Sequence, residues 1–404
     1  MVTRRRLLRG ALAAIVLGGA VIGLVLGLMI VLPTPNLGLL WPNLALDLLA
    51  VVAEGYSLWL AIFAVLGLAL ALLARRVGFR RSSLVAAVLG VVTVALSLVP
   101  VVQGWRTASQ EGVALSLSEY FSFPSIGSPE TVTYARPEGQ ELKLDVWRPP
   151  DQGDTAGPER RPAVVTVHGG GGIFGSRSDE AFWSEWLAEE GYVVFNIDYR
   201  LGDYRLGQPP RTLDATGDVK CAVGWVKENA GRYGVDPDRI ALMGRSSGGH
   251  LALLAAYTEG DPLLPPSCGV PDTGVEAVAA FYSVTDQTRF DEMQWPWWRP
   301  HLLSVDYTRF TPDSEPEPDR SLISPTFHVD PGDPPTFLTH GGEDQWVPPE
   351  QSLLLANRLE EAGVPHRLIE LPWARHVFDV AWGSWGEQIV RHELGEFLAR
   401  HLAN

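Results

Sequence analysis

Between Gly10 and Arg75 the chain contains no lysine or arginine, and its 404 residues include only two cysteines. So few cysteines exclude a small disulfide-stapled scaffold, in which bridges stand in for a core. Cys221 and Cys268 allow one disulfide in an oxidising compartment. Cys221 also falls inside a predicted helix, where a cysteine serves equally well as a small buried hydrophobe, so both readings stay open. Positive charge is scarce beyond the start of the chain. Residues 1–103 hold eight arginines against Asp47 and Glu54, a sum of +6; with −15 for the whole chain, the remainder carries −21. A domain that acidic is poorly suited to phosphate backbones or to an anionic membrane surface, which excludes nucleic acid as an expected partner.

The first hundred residues are apolar. Residues 11–32 form an uncharged run long enough, at helical rise, to cross a hydrocarbon core of about 30 Å. Residues 57–74 and 83–102 are two more, giving three expected transmembrane helices in a membrane region of residues 1–103. The stretch from Trp41 to Glu54 is apolar but carries Asp47 and Glu54, and reads either as interfacial or as an extension of the second helix. The start, TRRRLLR, resembles an export signal, but no A-x-A-like cleavage site follows Leu32 and two further spans come next. Arg4, Arg5, Arg6 and Arg9 precede the first span, and Arg75, Arg76, Arg80 and Arg81 lie between the second and third. By the positive-inside rule these clusters are cytoplasmic, which places everything after about residue 104 on the other side of a cell membrane, as an extracytoplasmic domain.

Residues 104–130 read as a linker ending in SFPSIGSPE, and the catalytic domain is expected over 131–404. TVTYARPEGQELKLDVWRPP alternates around a Pro-Glu-Gly turn, a hairpin signal. AVVTVH (163–168), YVVFNID (192–198), RIALMG (239–244), VEAVAAFYS (275–283), TFLTH (336–340) and RLIELP (367–372) are short apolar runs of the kind that parallel strands buried on both faces require. Helical patterns lie between them at 179–190, 213–233, 246–257, 350–362 and 387–402. The fold class is therefore α/β, a doubly wound and mostly parallel sheet with an antiparallel start.

In such a sheet the site is built at the carboxyl ends of strands, which filters the candidates. His366 begins a strand. His250 lies within a helix, and His340 is followed by two glycines and reads as structural. Three residues pass. Ser246 sits in G-x-S-x-G between RIALMG and a helix, with Gly244 and Gly248 letting strand and helix approach closely. Asp344 follows TFLTH, and His376 follows RLIELP. A serine hydroxyl needs an imidazole to take its proton and a carboxylate to orient that imidazole. The glycine run after His168 supplies backbone N–H groups, and those of Gly170 and Gly171 with that of Ser247 are the expected oxyanion hole.

These pieces resemble an α/β-hydrolase of the HGGG-type esterase/lipase branch, similar to hormone-sensitive-lipase-like and bacterial feruloyl- or acetyl-esterase-like proteins, over residues 131–402. VHGGGG, NIDYRL, VDPDRIALMGRSSGGHLA, HGGEDQWVP and LPWARHVFD carry the resemblance. It implies Ser246 as nucleophile, Asp344 as acid and His376 as base. Arg245, Ser247, Trp373 and Arg375 depart from the commonest pattern and flank the nucleophile and the base. The expected function is ester hydrolysis through an acyl-enzyme, on a small-molecule ester, by an enzyme held in a lipid bilayer, with no metal or cofactor implied. The same triad would serve a peptidase or amidase, and the scaffold could also serve a non-catalytic binding module. An insertion over 286–335 carries Trp297 and Trp298, which read either as a pocket wall that favours short acyl groups or as a hydrophobic cluster anchoring the insertion.

Overall fold

The computed structural model describes residues 2–76, 78, 80–150, 160–203, 211–290 and 320–403, with side chains from residue 14 on. The tryptophans at 297 and 298 lie outside the described residues. Four helices open the chain: α1 (Val2–Val31), α2 (Leu40–Gly55), α3 (Ser57–Arg76) and α4 (Arg80–Glu111). Of these, α1, α3 and α4 are long and apolar enough to cross a membrane. They pack on one another through small residues, as at Gly90 against Leu68.

Helix α2 is separate from α3 rather than an extension of it. It breaks from α3 at Tyr56, and Leu40, Asn43, Asp47, Ala50, Val51 and Glu54 form a buried stripe at helical spacing. Its opposite side presents Trp41, Leu48, Leu49 and Val52 to the exterior. The polar residues Asn43, Asp47 and Glu54 face inward, together with Leu40, Ala50 and Val51.

The expected linker at 104–130 begins as helix. At 32 residues α4 is about 48 Å long, well beyond the hydrocarbon thickness. Its last turns run on against the following domain: Gly104 lies against Trp385 and Trp373, Ala108 joins the core, and Glu111 pairs with Arg367. After a short helix, α5 (Leu117–Tyr120), the fully buried Tyr120 stacks on Trp385 at 4.5 Å, and its hydroxyl accepts from the Leu58 N–H of α3.

The rest is one eight-stranded sheet. In chain order its strands are β1 (Glu130–Ala135), β2 (Leu142–Trp147), β3 (Arg161–Val167), β4 (Val193–Ile197), β5 (Val235–Arg245), β6 (Ala277–Phe281), β7 (Thr336–Gly341) and β8 (His366–Leu371). Their spatial order is β1-β2-β4-β3-β5-β6-β7-β8. Pairing is antiparallel from β1 to β4 and parallel thereafter. Helices α7 (Thr212–Glu228), α9 (Ser247–Tyr257) and α10 (Glu350–Ala362) cover one face; α6 (Ala181–Glu189) and α11 (Trp385–His401) cover the other, and the four-residue α8 (Ala230–Tyr233) leads into β5. The strands feed both cores by alternation. Val165 and Leu242 point to one side, Val164 and Met243 to the other, all with no exposed surface.

Cys221 of α7 and Cys268, in the connection from α9 to β6, are bridged across 47 residues. Closing a loop of that length restricts the unfolded chain by about 2–5 kcal/mol. Replacing both cysteines by alanine is therefore expected to lower Tm of the solubilised protein by on the order of 10 °C. A reductant should do the same to the wild type. An unchanged Tm in both experiments would show that the bridge contributes nothing.

Candidate active site

The corner between β5 and α9 sets the position of Ser246. The serine has φ 51° and ψ −121°, a left-sided conformation that non-glycine residues avoid. Its neighbours hold it there. A Cβ on Gly244 would lie 2.3 Å from the Gly248 carbonyl oxygen, and one on Gly248 would lie 2.2 Å from that of Val167. The corner is also tied to the sheet, since the Ser246 N–H donates to the Phe281 carbonyl at 2.9 Å.

The loops after β7 and β8 converge on the serine. His376 Nε2 lies 3.0 Å from Ser246 Oγ, and His376 Nδ1 lies 2.6 Å from Asp344 Oδ2. The other carboxylate oxygen of Asp344 accepts from the backbone N–H groups of Trp346 and Val347 at 2.8 and 2.9 Å. Burial raises the pKa of the Asp344 carboxyl, but the charge of His376 and hydrogen bonds from His340 and His376 outweigh it, and the group sits well below the usual carboxylate range. His340 is thus a supporting residue within β7; its ring also meets the Ser352 hydroxyl at 2.7 Å.

The glycine loop lies beside the serine. Gly170, Gly171 and Gly172 all have positive φ, and a Cβ on Gly170 would fall 2.0 Å from the Phe174 carbonyl oxygen. The Gly172 N–H donates to Ser247 Oγ at 3.2 Å, which ties this loop to the first residue of α9. Sequence reasoning placed the backbone of Ser247 at the site but missed this use of its hydroxyl. His168, at the end of β3, is buried and stacked on Tyr199 at 4.3 Å, and burial lowers its pKa. His250 lines the cavity as well as packing in α9. Burial pushes its pKa down to about 4, and as a neutral ring it donates from Nδ1 to the Val284 carbonyl.

A cavity of about 450 Å³ opens over Ser246 and His376. Its apolar walls include Phe174, Phe182 and Val380, together with Leu40 and Leu44 of α2. Volume and lining are those of a small-molecule site.

Two buried arginines stand beside the relay. Arg245 donates from Nε to Asp379 Oδ2 at 2.5 Å, pairs with Glu180, and lies over the Trp183 ring at 4.9 Å. Tyr282, at φ 40°, donates its hydroxyl to Asp379 at 2.6 Å and packs edge-on against His376 at 4.6 Å. Burial, followed by the Asp379 charge, drives the tyrosine pKa well up, so it keeps the proton it donates. Arg375 is the second, and its partners belong to the amino-terminal helix α2: Asp47 at 3.3 Å and Glu54 at 3.7 Å. Glu180, Tyr282 and Asp379 were not singled out in the sequence. The available signal was Arg245 itself, since an arginine on a central strand requires carboxylates around it.

The chain is similar to known esterases in sequence and in fold. A family model described as BD-FAE matches residues 144–359. Esterase LipQ of Mycobacterium tuberculosis is 32% identical over 306 residues, covering 73% of this chain and 69% of that protein. The probable carboxylic ester hydrolase LipM of the same organism is 34% identical over 283 residues, covering 69% of this chain and 62% of LipM. Among solved structures, a thermophilic esterase of Thermogutta terrifontis, Est2, with propionate bound, has a TM-score of 0.55 and 28% identity over 69% of this chain and 96% of that one.

Proposed function

The chain belongs to the BD-FAE family of α/β-hydrolase esterases, and we propose that it is a membrane-anchored carboxylesterase in which Ser246, His376 and Asp344 act as nucleophile, base and acid. The observation that carries this reading is the unbroken relay from Asp344 Oδ2 through the imidazole to Ser246 Oγ, at 2.6 and 3.0 Å, on the floor of an apolar cavity. Ser246 Oγ attacks the ester carbonyl carbon while His376 Nε2 takes the hydroxyl proton. The carbonyl oxygen becomes an anion facing the N–H groups of Gly170, Gly171 and Ser247. The bond to the alcohol oxygen then breaks, and that oxygen leaves with the proton from His376. Water repeats the sequence on the acyl-enzyme, giving its proton to the imidazole and releasing the acid as Ser246 regains a proton. Asp344 stays ionised throughout and holds the imidazole in the tautomer that accepts from serine.

The propionate bound to the Thermogutta relative and the modest cavity support short acyl groups as substrates. On p-nitrophenyl esters the full chain is expected to prefer butyrate to dodecanoate. Ser246→Ala is expected to lower turnover by on the order of 10⁴ to 10⁶ with an unchanged Tm, because a half-buried serine hydroxyl at a corner contributes little packing. A variant that kept a tenth of the activity, while Ser247→Ala lost it, would move the nucleophile by one residue.

The arginine clusters at residues 4–9 and 75–81 support a cytoplasmic amino terminus and an extracytoplasmic catalytic domain. The contact of Thr34, just after α1, with Gln345 agrees, since it requires the α1–α2 connection and the catalytic domain to share one side. Protease added outside cells with a permeable outer layer should digest the domain beyond residue 111. Protection until the bilayer is dissolved would reverse the orientation.

A further inference from the structure

The connection from α1 to α2 does more than join two helices, because Thr34 within it and Asp47 of α2 are hydrogen-bonded to the loops of the acid and the base. The Thr34 N–H donates to Gln345 Oε1 at 2.7 Å, and Gln345 Nε2 donates back to the Thr34 carbonyl at 3.0 Å. The Thr34 hydroxyl donates to Asp47 Oδ1 at 3.0 Å, and Asp47 Oδ2 accepts from the Trp346 indole N–H at 2.7 Å. Arg375 closes the cluster. Its Nη1 donates to Thr34 Oγ1 at 3.2 Å, Asp47 Oδ1 at 3.3 Å and Gln345 Oε1 at 3.0 Å. Its Nη2 caps the last turn of α1, donating to the carbonyls of Met29 and Leu32 at 2.9 and 2.5 Å. Thr34, Asp47, Glu54, Gln345 and Arg375 are each at most 4% exposed.

An anchor needs none of this. Apolar helices and a tether suffice to hold a domain at a bilayer, and a buried arginine with two carboxylates is a costly way to make a contact that leucines would make. What the cluster does touch is specific. Gln345 and Trp346 follow Asp344 directly, and Arg375 precedes His376 directly. The Trp346 N–H that orients the Asp344 carboxylate belongs to the residue whose indole Asp47 holds. A shift of Asp47 or Thr34 therefore moves the acid and the base together, relative to a serine fixed separately by the corner of β5.

Building on the triad reading above, we propose that Thr34 and Asp47 are positioning residues of the esterase site, which hold Gln345, Trp346 and Arg375 so that Asp344 and His376 stand in register with Ser246. Leu40 and Leu44 extend the same role to the cavity wall. The catalytic machinery is then complete only with the membrane region seated on it.

The test uses the full chain in a bilayer or micelle, with reactive serines counted by stoichiometric organophosphate labelling so that kcat is expressed per labelled site. Asp47→Ala is expected to lower kcat per site by about 10²-fold with KM changed less than about threefold, the scale on which a misplacement near 1 Å acts. Thr34→Ala is expected to lose about tenfold, and Thr34→Ser to recover it, since only the hydroxyl link is at stake. Unchanged kcat per labelled site in Asp47→Ala, even with fewer sites or a lower Tm, would overturn the proposal and leave the segment an anchor. Should Asp47→Ala fail to fold, wild-type kcat in Thr34→Ala would overturn it equally. Labelling undiminished by Ser246→Ala would overturn the triad assignment itself, and this proposal with it.

Discussion

Everything at this site depends on one strained corner. Ser246 is held at positive φ because strand β5 and helix α9 meet at distances that leave no room for a Cβ at Gly244 or Gly248. The strain is sustained by the surrounding core, where β5 from Ile240 onward and α9 from Gly248 onward are buried throughout. Its return is geometric: the hydroxyl projects at the carboxyl edge of the sheet, where the loops after β3, β7 and β8 also end. The proposed nucleophile and its proposed base meet there, beside the glycine loop.

Around that corner the chain spends its buried charge on two arginines. Arg245 precedes Ser246 and pairs with Glu180 and Asp379; Arg375 precedes His376 and pairs with Asp47 and Glu54. Both stiffen the approach to a triad residue, the first through Tyr282 against the imidazole ring, the second through the α1–α2 connection. Trp373, another departure from the common pattern, serves the same docking by packing near Gly104 of α4. Of the four departures from the common pattern, Trp373 and Arg375 thus seat the amino-terminal helices.

Much of this was legible beforehand. The strand runs, the edge positions of Ser246, Asp344 and His376 and the place of the glycine loop came from period and from edge placement, because each is a local property: a buried parallel strand is a short apolar run, and an edge residue follows it. What was not legible depends on partners far away in the chain. Asp47 and Glu54 looked like residues of uncertain membrane depth because their counterion lies more than 300 positions on. The end of α4 looked like a linker because its contacting residues, Gly104, Thr107 and Ala108, are small and carry no hydropathy signal. The Cys221–Cys268 bridge stayed open because pairing is a tertiary fact. The hydroxyl of Ser247 was invisible for the same reason, since its use depends on where Gly172 comes to rest.

The measurement that bears most directly on the central claim is the site of covalent modification. The full chain, reacted with an organophosphate at neutral pH and digested, is expected to carry one adduct per chain, on Ser246 in the peptide containing MGRSSGGH. An adduct on Ser247 or on a serine outside that peptide, with ester hydrolysis lost in step, would contradict the corner, the relay and the mechanism built on them.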